Sequence, residues 1–140
     1  MTPLETVEKI YAAFGRGDVP AIVEAMSDDV EWESWADNSA QQAGVPWLRP
    51  RRGKAGVGEF FQLVARFTIH DFRVLSIMGN ERQVAAEFVI DATPPDGRRY
   101  RDEEMHLWTF GADGKVVRLR HYTDTAKHMA AAGLTAPLRT

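Results

Sequence analysis

The sequence predicts an α+β fold in which helices come first and a run of antiparallel strands follows. Apolar residues recur at three- and four-residue spacing near the N-terminus and again over residues 57–64, the period of a helix with one buried face. From Thr68 the pattern becomes strand after strand, punctuated by Gly79-Asn80, Pro94-Pro-Asp-Gly97 and Gly111-Ala-Asp-Gly114, residues that supply turns. Helices followed by strands, without alternation, is the α+β order.

Thr2-Pro3 followed by Glu5 reads as a helix start: a cap, a proline at the first helical position and an acid in the first turn. Leu4, Val7, Ile10, Tyr11 and Phe14 form its apolar stripe, and Gly15 and Gly17 end it. Asp18 caps a second helix, with Pro20 in its first turn, that runs through Ile22, Val23 and Met26 and stops near Ser27-Asp-Asp29. Val30 to Trp35 alternates as a short strand. Residues 36–53 show no clear period and read as a long loop of the kind that rims a site. Gly53 to about Arg66 reads as a third helix burying Val57, Phe60, Phe61 and Val64. Strands are expected at about 68–78, 82–93, 98–110 and 115–124, then a last helix over Thr125–Ala132 closed by Gly133.

The 140 residues suffice for one domain, 1–140, with one core and a modest pocket. With 44% hydrophobic and 26% charged residues and a net charge of -3, the composition is that of an ordinary globular protein. Arg49-Pro-Arg-Arg-Gly-Lys54 is short and lacks aromatics suited to stacking bases, so no nucleic-acid partner is expected. The absence of cysteine excludes disulfides and thiolate chemistry. No window approaches the apolar length of a membrane span, so no membrane partner is expected, and a cytoplasmic location is the default.

Side chains alternate across a strand, so register decides which residues look inward. Pairing Phe110 with Lys115 sets His121 opposite Glu104 and Leu119 opposite His106. Pairing Thr93 with Arg98 sets Glu87 opposite Glu104. One face then carries Glu87, Glu104, His106, Trp108, Val117, Leu119 and His121, and the other Phe88, Ile90, Met105, Leu107, Val116, Arg118, Arg120 and Tyr122. Either face suits a core by hydrophobicity, and a single bulge would flip part of the register.

Val7 to Asp18, Ile22 and Asp28-Asp-Val-Glu-Trp32 resemble the opening of the nuclear transport factor 2-like superfamily, which includes ketosteroid isomerases, limonene-epoxide hydrolases and SnoaL-like polyketide cyclases. Asp113 to Asp124 is similar to the SnoaL-like and ketosteroid-isomerase-related members, and Gly53 to Phe61 fits the glycine-then-helix element between. The resemblance implies a cone-shaped, curved antiparallel sheet packed on three N-terminal helices (a cystatin-like roll). An apolar pocket would lie between sheet and helices, and a homodimer would form through the outer sheet face. It makes the histidine-bearing face the pocket face, with Trp32 and Ser34 joining from the first strand. His106 matches the position of the isomerases' protonated acid, and His121 that of an inward catalytic aspartate in the hydrolases and cyclases. The chain also departs from the family. The isomerases' tyrosine falls at Ile10, with Tyr11 off-phase, and their base falls at Ser34. Ala85 and Glu87 stand where the hydrolases carry an Arg-x-Asp pair. A true ketosteroid isomerase is therefore not expected.

A pocket histidine can give or take a proton near neutrality, and a facing glutamate tunes it. His121 with Glu104 is expected as the base. His106, with Glu87, is expected to polarise or protonate a substrate oxygen. Phe14, Trp32, Ser34, Phe60, Val64, Trp108 and Leu119 are the expected pocket walls. Tyr122 and Asp124 point away from the pocket by parity, and His70 and His128 have no evident partners. Two histidines and two carboxylates on adjacent strands would also suit a divalent metal. No short local metal motif or phosphate loop accompanies them, however, and no cofactor or metal is expected. The expected function is a cofactor-independent isomerase, cyclase or lyase/hydratase acting on a small apolar, oxygenated molecule. The alternatives are a non-catalytic binding domain and a dimeric scaffold.

Overall fold

The computed structural model describes residues 1–33 and 37–135. Helix α1 spans Pro3–Gly15, closed at its start by a capping box. The Thr2 backbone N–H donates to the Glu5 carboxylate at 3.0 Å, and the Glu5 N–H donates to the Thr2 hydroxyl at 3.1 Å. Helix α2 spans Val19–Glu24 and is capped by the Asp18 carboxylate. Strand β1, Met26–Trp32, follows at once. Met26 was expected to close the helix and Ser27 to Asp29 to stop it. They are strand instead, because β1 lies parallel to β6 (Val116–Tyr122), with Met26 beside Val116. Tertiary pairing overrides the local polar signal.

The stretch expected as a long loop carries structure in its described part. Helix α3 spans Ser39–Ala43, between an Asn38 cap and Gly44 in the left-handed conformation at φ 86°. A 3₁₀ turn over Pro46–Leu48 and strand β2, Arg51–Arg52, follow. Helix α4, Gly53–Val64, starts at a glycine with φ 74° whose missing Cβ would lie 3.2 Å from the Asp28 carbonyl oxygen. Strands β3 (Thr68–Gly79), β4 (Gln83–Thr93) and β5 (Tyr100–Phe110) lead to β6. Helix α5, Thr125–Ala131, is capped by Asp124.

The six strands form one curved, unclosed, mixed sheet in the order β2-β1-β6-β5-β4-β3. The expected sheet was wholly antiparallel; the β1–β6 pair makes it mixed. Val7, Ile10, Ile22, Val30, Val57 and Leu119 anchor the main core between sheet and helices. A second cluster, with Val45, Trp47, Leu48, Tyr100 and Met129, packs α3, the 3₁₀ turn and α5 against the other end of β5. No described helix is long and apolar enough to cross a membrane.

Two registers differ from expectation and decide which residues face inward. The β4–β5 hairpin closes at Ala92–Tyr100 rather than Thr93–Arg98, so β4 is turned over relative to the expected pairing. Phe88 therefore faces Glu104, and Glu87 pairs with Met105 on the outer face, where it is exposed. Between β5 and β6 a bulge separates the pairs Thr109–Arg118 and Phe110–Val116. It turns Val116 inward and Val117 out of the core. It also sets His121 opposite His106 and Leu119 opposite Trp108.

Candidate functional site

Alternation along β5 puts Asp102, Glu104, His106 and Trp108 on one face, with Asp102, Glu104 and Trp108 almost fully buried. That face and the helices enclose a cavity of about 90 Å³. Its walls are largely aromatic and aliphatic: Phe14, Trp32, Phe60, Phe61, Val64 and Phe88 among others. Tyr11, Glu104, His106, His121 and His128 also reach it.

Of the residues expected at the site, Phe14, Trp32, Phe60, Val64, Trp108, Glu104, His106 and His121 line this cavity. Ser34 lies outside the described residues. Glu87 is corrected to the outer face by the hairpin register. Leu119 is on the inner face but wholly buried in the core across from Trp108, not at the cavity wall. Tyr11, expected to be off-phase, reaches the cavity together with Ile10, because the cavity spans both sides of the α1 stripe.

Tyr11 and His106 form one hydrogen-bonded unit. The Trp108 indole N–H donates to the Tyr11 hydroxyl at 3.1 Å, and that hydroxyl and His106 Nδ1 share a bond of 2.7 Å. No described group bonds His106 Nε2, and the half-buried ring borders the cavity. Burial, and then the charge on His121, hold the His106 imidazole well below its ordinary proton affinity; Glu104 opposes them. His106 is thus a neutral ring with one free nitrogen. Burial raises the Tyr11 phenol, against the Trp108 bond, so it stays protonated.

The second unit is a chain of acids and imidazoles. His121 Nε2 meets Glu104 Oε1 at 2.7 Å, and its Nδ1 meets Glu33 Oε1 at 2.8 Å. Burial lowers the proton affinity of His121, but Glu33 and Glu104 outweigh burial and lift it well above 6.5. Both nitrogens therefore carry protons and donate to carboxylates. No lone pair remains on His121, so the expected base role does not fit this ring. Glu33 is 2% exposed, with φ at 56°, a left-handed conformation rare for a side-chain-bearing residue. It is held there by His121 and by Gln41, whose amide donates to the Glu33 carbonyl at 2.8 Å. Burial pushes the Glu104 carboxyl up, but the charge of His121 and the bonds from His121 and His128 hold it well below the usual range.

His128, which has no evident partner in the sequence, is 1% exposed and continues this chain. Its Nε2 lies 2.6 Å from Glu104 Oε2 and 3.1 Å from Asp102 Oδ2. The Trp47 indole N–H donates to its Nδ1 at 2.8 Å. Burial disfavours the charged ring, while Asp102 and Glu104 more than offset this and raise its proton affinity. An indole N–H can only donate, however, so Nδ1 must hold a lone pair and Nε2 the proton. His128 is therefore the neutral tautomer, donating to the two acids.

That tautomer bears on metal binding. The ligand atoms of Asp102, Glu104 and His128 lie within 4.8 Å of one another. A ligating imidazole needs a lone pair on the metal-facing nitrogen, and Trp47 puts the proton there. The donor set does not suit a divalent cation.

Glu33, Asp102, His128 and Tyr11 are the site residues that sequence reasoning missed. The alternation Asp102-x-Glu104-x-His106 was a signal for Asp102. His128 had none, because its partners arrive from β5 and the 3₁₀ turn. Among the described residues, the Trp32 indole nitrogen is buried without an acceptor.

A family model described as a SnoaL-like domain matches residues 7–119. No curated protein matches. Solved structures give full-length likeness. An NTF2-like protein from Burkholderia thailandensis is 23% identical over 94% of this chain and 98% of its own, with a TM-score of 0.78. A candidate SnoaL-like polyketide cyclase from Mesorhizobium loti is 24% identical over 87% and 99%, with a TM-score of 0.67. The epoxide hydrolase/cyclase-like enzyme SalBIII, of pyran ring formation in polyether salinomycin, is 20% identical over 89% and 92%, with a TM-score of 0.68. At these identities the likeness is one of fold.

Proposed function

This chain belongs to the SnoaL-like domain family, and from that premise we propose that it is a cofactor-independent acid–base enzyme acting on a small apolar molecule that carries an oxygen. Isomerisation, aldol-type cyclisation or water addition beside a carbonyl are the reactions its groups suit. The reading rests on one observation: the hydrogen-bonded Tyr11–His106 pair presents a free imidazole nitrogen to a cavity whose walls are largely aromatic and aliphatic.

The pair supplies both halves of a proton transfer. When His106 holds its proton on Nδ1, bonded to the Tyr11 oxygen, Nε2 is a base and the Tyr11 O–H is a donor. Nε2 removes a proton from carbon beside the substrate carbonyl. Tyr11 gives its own proton to the oxygen on which charge develops, and the Nδ1 proton moves to the Tyr11 oxygen. His106 ends as the other neutral tautomer, and no proton is lost. The doubly held His121 cation stabilises negative charge nearby and keeps His106 neutral.

The test is exchange of 2-butanone α-protons for deuterium, followed by NMR in D₂O. The parent protein should accelerate exchange. His106→Gln should lose at least tenfold of that acceleration while 2-butanone affinity stays within about threefold. Binding without exchange would favour the competing reading, a non-catalytic binding domain. That reading draws support from the carboxylates, since Glu33 and Glu104 are already engaged by histidines. A homodimer through the outer sheet face belongs to the same proposal. Met78 and Met105 there are 58% and 38% exposed, and light scattering on Met105→Asp checks it.

A further inference from the structure

The cavity that holds the Tyr11–His106 edge is small. At about 90 Å³ it falls short of the roughly 150 Å³ that accommodates benzene in a protein core. Any substrate much larger than a few heavy atoms must leave it by some route. A second depression, of about 480 Å³, adjoins it and shares Phe14, Phe61, Val64, Phe67, Ile69 and Phe72 with the cavity wall. The rest of its lining includes Gly15, Gly17, Val19 and Ala65. No side chain lining this groove can form a hydrogen bond or carry a charge. It runs between the end of α1, the start of α2, the end of α4 and the first half of β3.

Side-chain polarity is therefore distributed in one direction. The hydrogen-bonding side chains lie at the inner end, and the polar surface of the groove is main chain alone. A charged tail would lose hydration in the groove and meet no side chain to pair with it. A hydrocarbon tail would cover apolar side chains that are otherwise wet, Ile69 being 37% exposed.

We propose that the substrate is elongated: its oxygen-bearing end sits at Tyr11 and His106, and an uncharged hydrocarbon tail lies in the groove between Phe14, Phe67 and Phe72. This rests on the reading of Tyr11–His106 as the polar end of the site and adds the shape and polarity of what binds there. The walls it shares with the cavity favour a substrate tail over a second copy of this chain.

The experiment is a homologous series, 2-butanone to 2-decanone, with dissociation constants measured on the full chain by NMR and the His106 and Tyr11 resonances followed throughout. Each added CH₂ buried is worth roughly 0.8 kcal/mol, so affinity should rise about three- to fourfold per carbon. The rise should continue well past the length that fills the cavity. Ala65→Asp, a groove residue outside the cavity wall, should flatten the rise for long ketones and leave 2-butanone affinity unchanged. Ala65→Leu should keep the rise, which separates polarity from damage to the fold. Affinity that levels off at short chains, with His106 still shifting, overturns the tail alone. Unmoved His106 and Tyr11 signals for every ketone overturn both this inference and the proposed function. An Ala65→Asp change in oligomeric state, with the parent slope retained, assigns the groove to a second copy and overturns the proposal.

Discussion

Trp47 donates to His128 and so determines which nitrogen of that ring is protonated. The consequence passes along the chain: neutral His128 donates to Glu104, Glu104 stays ionised, and His121 keeps the positive charge. Trp47→Phe removes the donor bound to Nδ1 and lets that nitrogen take a proton. His128 then becomes a second cation sharing Glu104. In an NMR titration the proton affinity of His128 should rise and that of His121 should fall relative to the parent. Unchanged titrations of both rings would sink the tautomer assignment. The lost buried bond should cost about 1–3 kcal/mol of stability. Glu33 belongs to the same network and sits at a positive φ, a strained backbone that its side-chain bond to His121 and its carbonyl bond from Gln41 stabilise.

At the scale of elements, two of the three glycines in α4 have opposite roles. Gly53 starts the helix at φ 74° with the Asp28 carbonyl close by, whereas Gly58 sits in the helix interior with nothing within 4 Å of an added Cβ. Gly53→Ala should destabilise by about 1–2 kcal/mol. Gly58→Ala should stabilise by about 0.5–1 kcal/mol. Thermal melts of the two variants should shift in opposite directions. The sequence carried the helices well, because caps such as Thr2 and Asp18 and the apolar stripe of α1 are local signals. It also carried α3 in a form easily passed over: Asn38 and Gly44 bracket five residues too few to show a period. Strand register was not legible in the same way. The β4–β5 hairpin differs from the expected pairing by one residue, enough to send Glu87 outward and Phe88 inward. Phe60 was readable from the apolar stripe of α4, whereas Trp32, Trp108, Glu104 and His106 were placed at the pocket by the family resemblance, since either sheet face suited a core. The side chains of Glu33 and His128 were not readable, since they meet His121, Glu104 and Asp102 through long-range packing.

At the scale of the whole molecule, the two facing histidines pull stability in opposite directions with pH. His121 has a raised proton affinity in the folded state, so its contribution is complete below its unfolded value near 6.5 and is lost as pH rises through the folded value. His106 has a lowered one, so its contribution is present above about 6.5 and is lost as pH falls below it. Glu104, also lowered, adds a loss that begins below its ordinary 4.5. Denaturation curves should show a maximum near pH 6.5, with each limb no steeper than about 1.4 kcal/mol per pH unit per proton. His106→Gln should flatten the limb between 6.5 and 4.5, and Glu33→Gln the alkaline one. A curve without a maximum in this range would contradict the charge assignment of both rings.

The parallel pairing of β1 with β6 sets an order for biosynthesis. The ribosome delivers Glu33 early, but its partner His121 emerges some ninety residues later (|i−j| = 88), and His128 later still. Until then the helices and the first strands of the sheet surround an unfinished wall, with Trp32, Phe60 and Phe61 unprotected from water. The polar site is thus the last part of the protein to assemble, and a chain stalled before β6 exposes the aromatic surface that holding chaperones recognise.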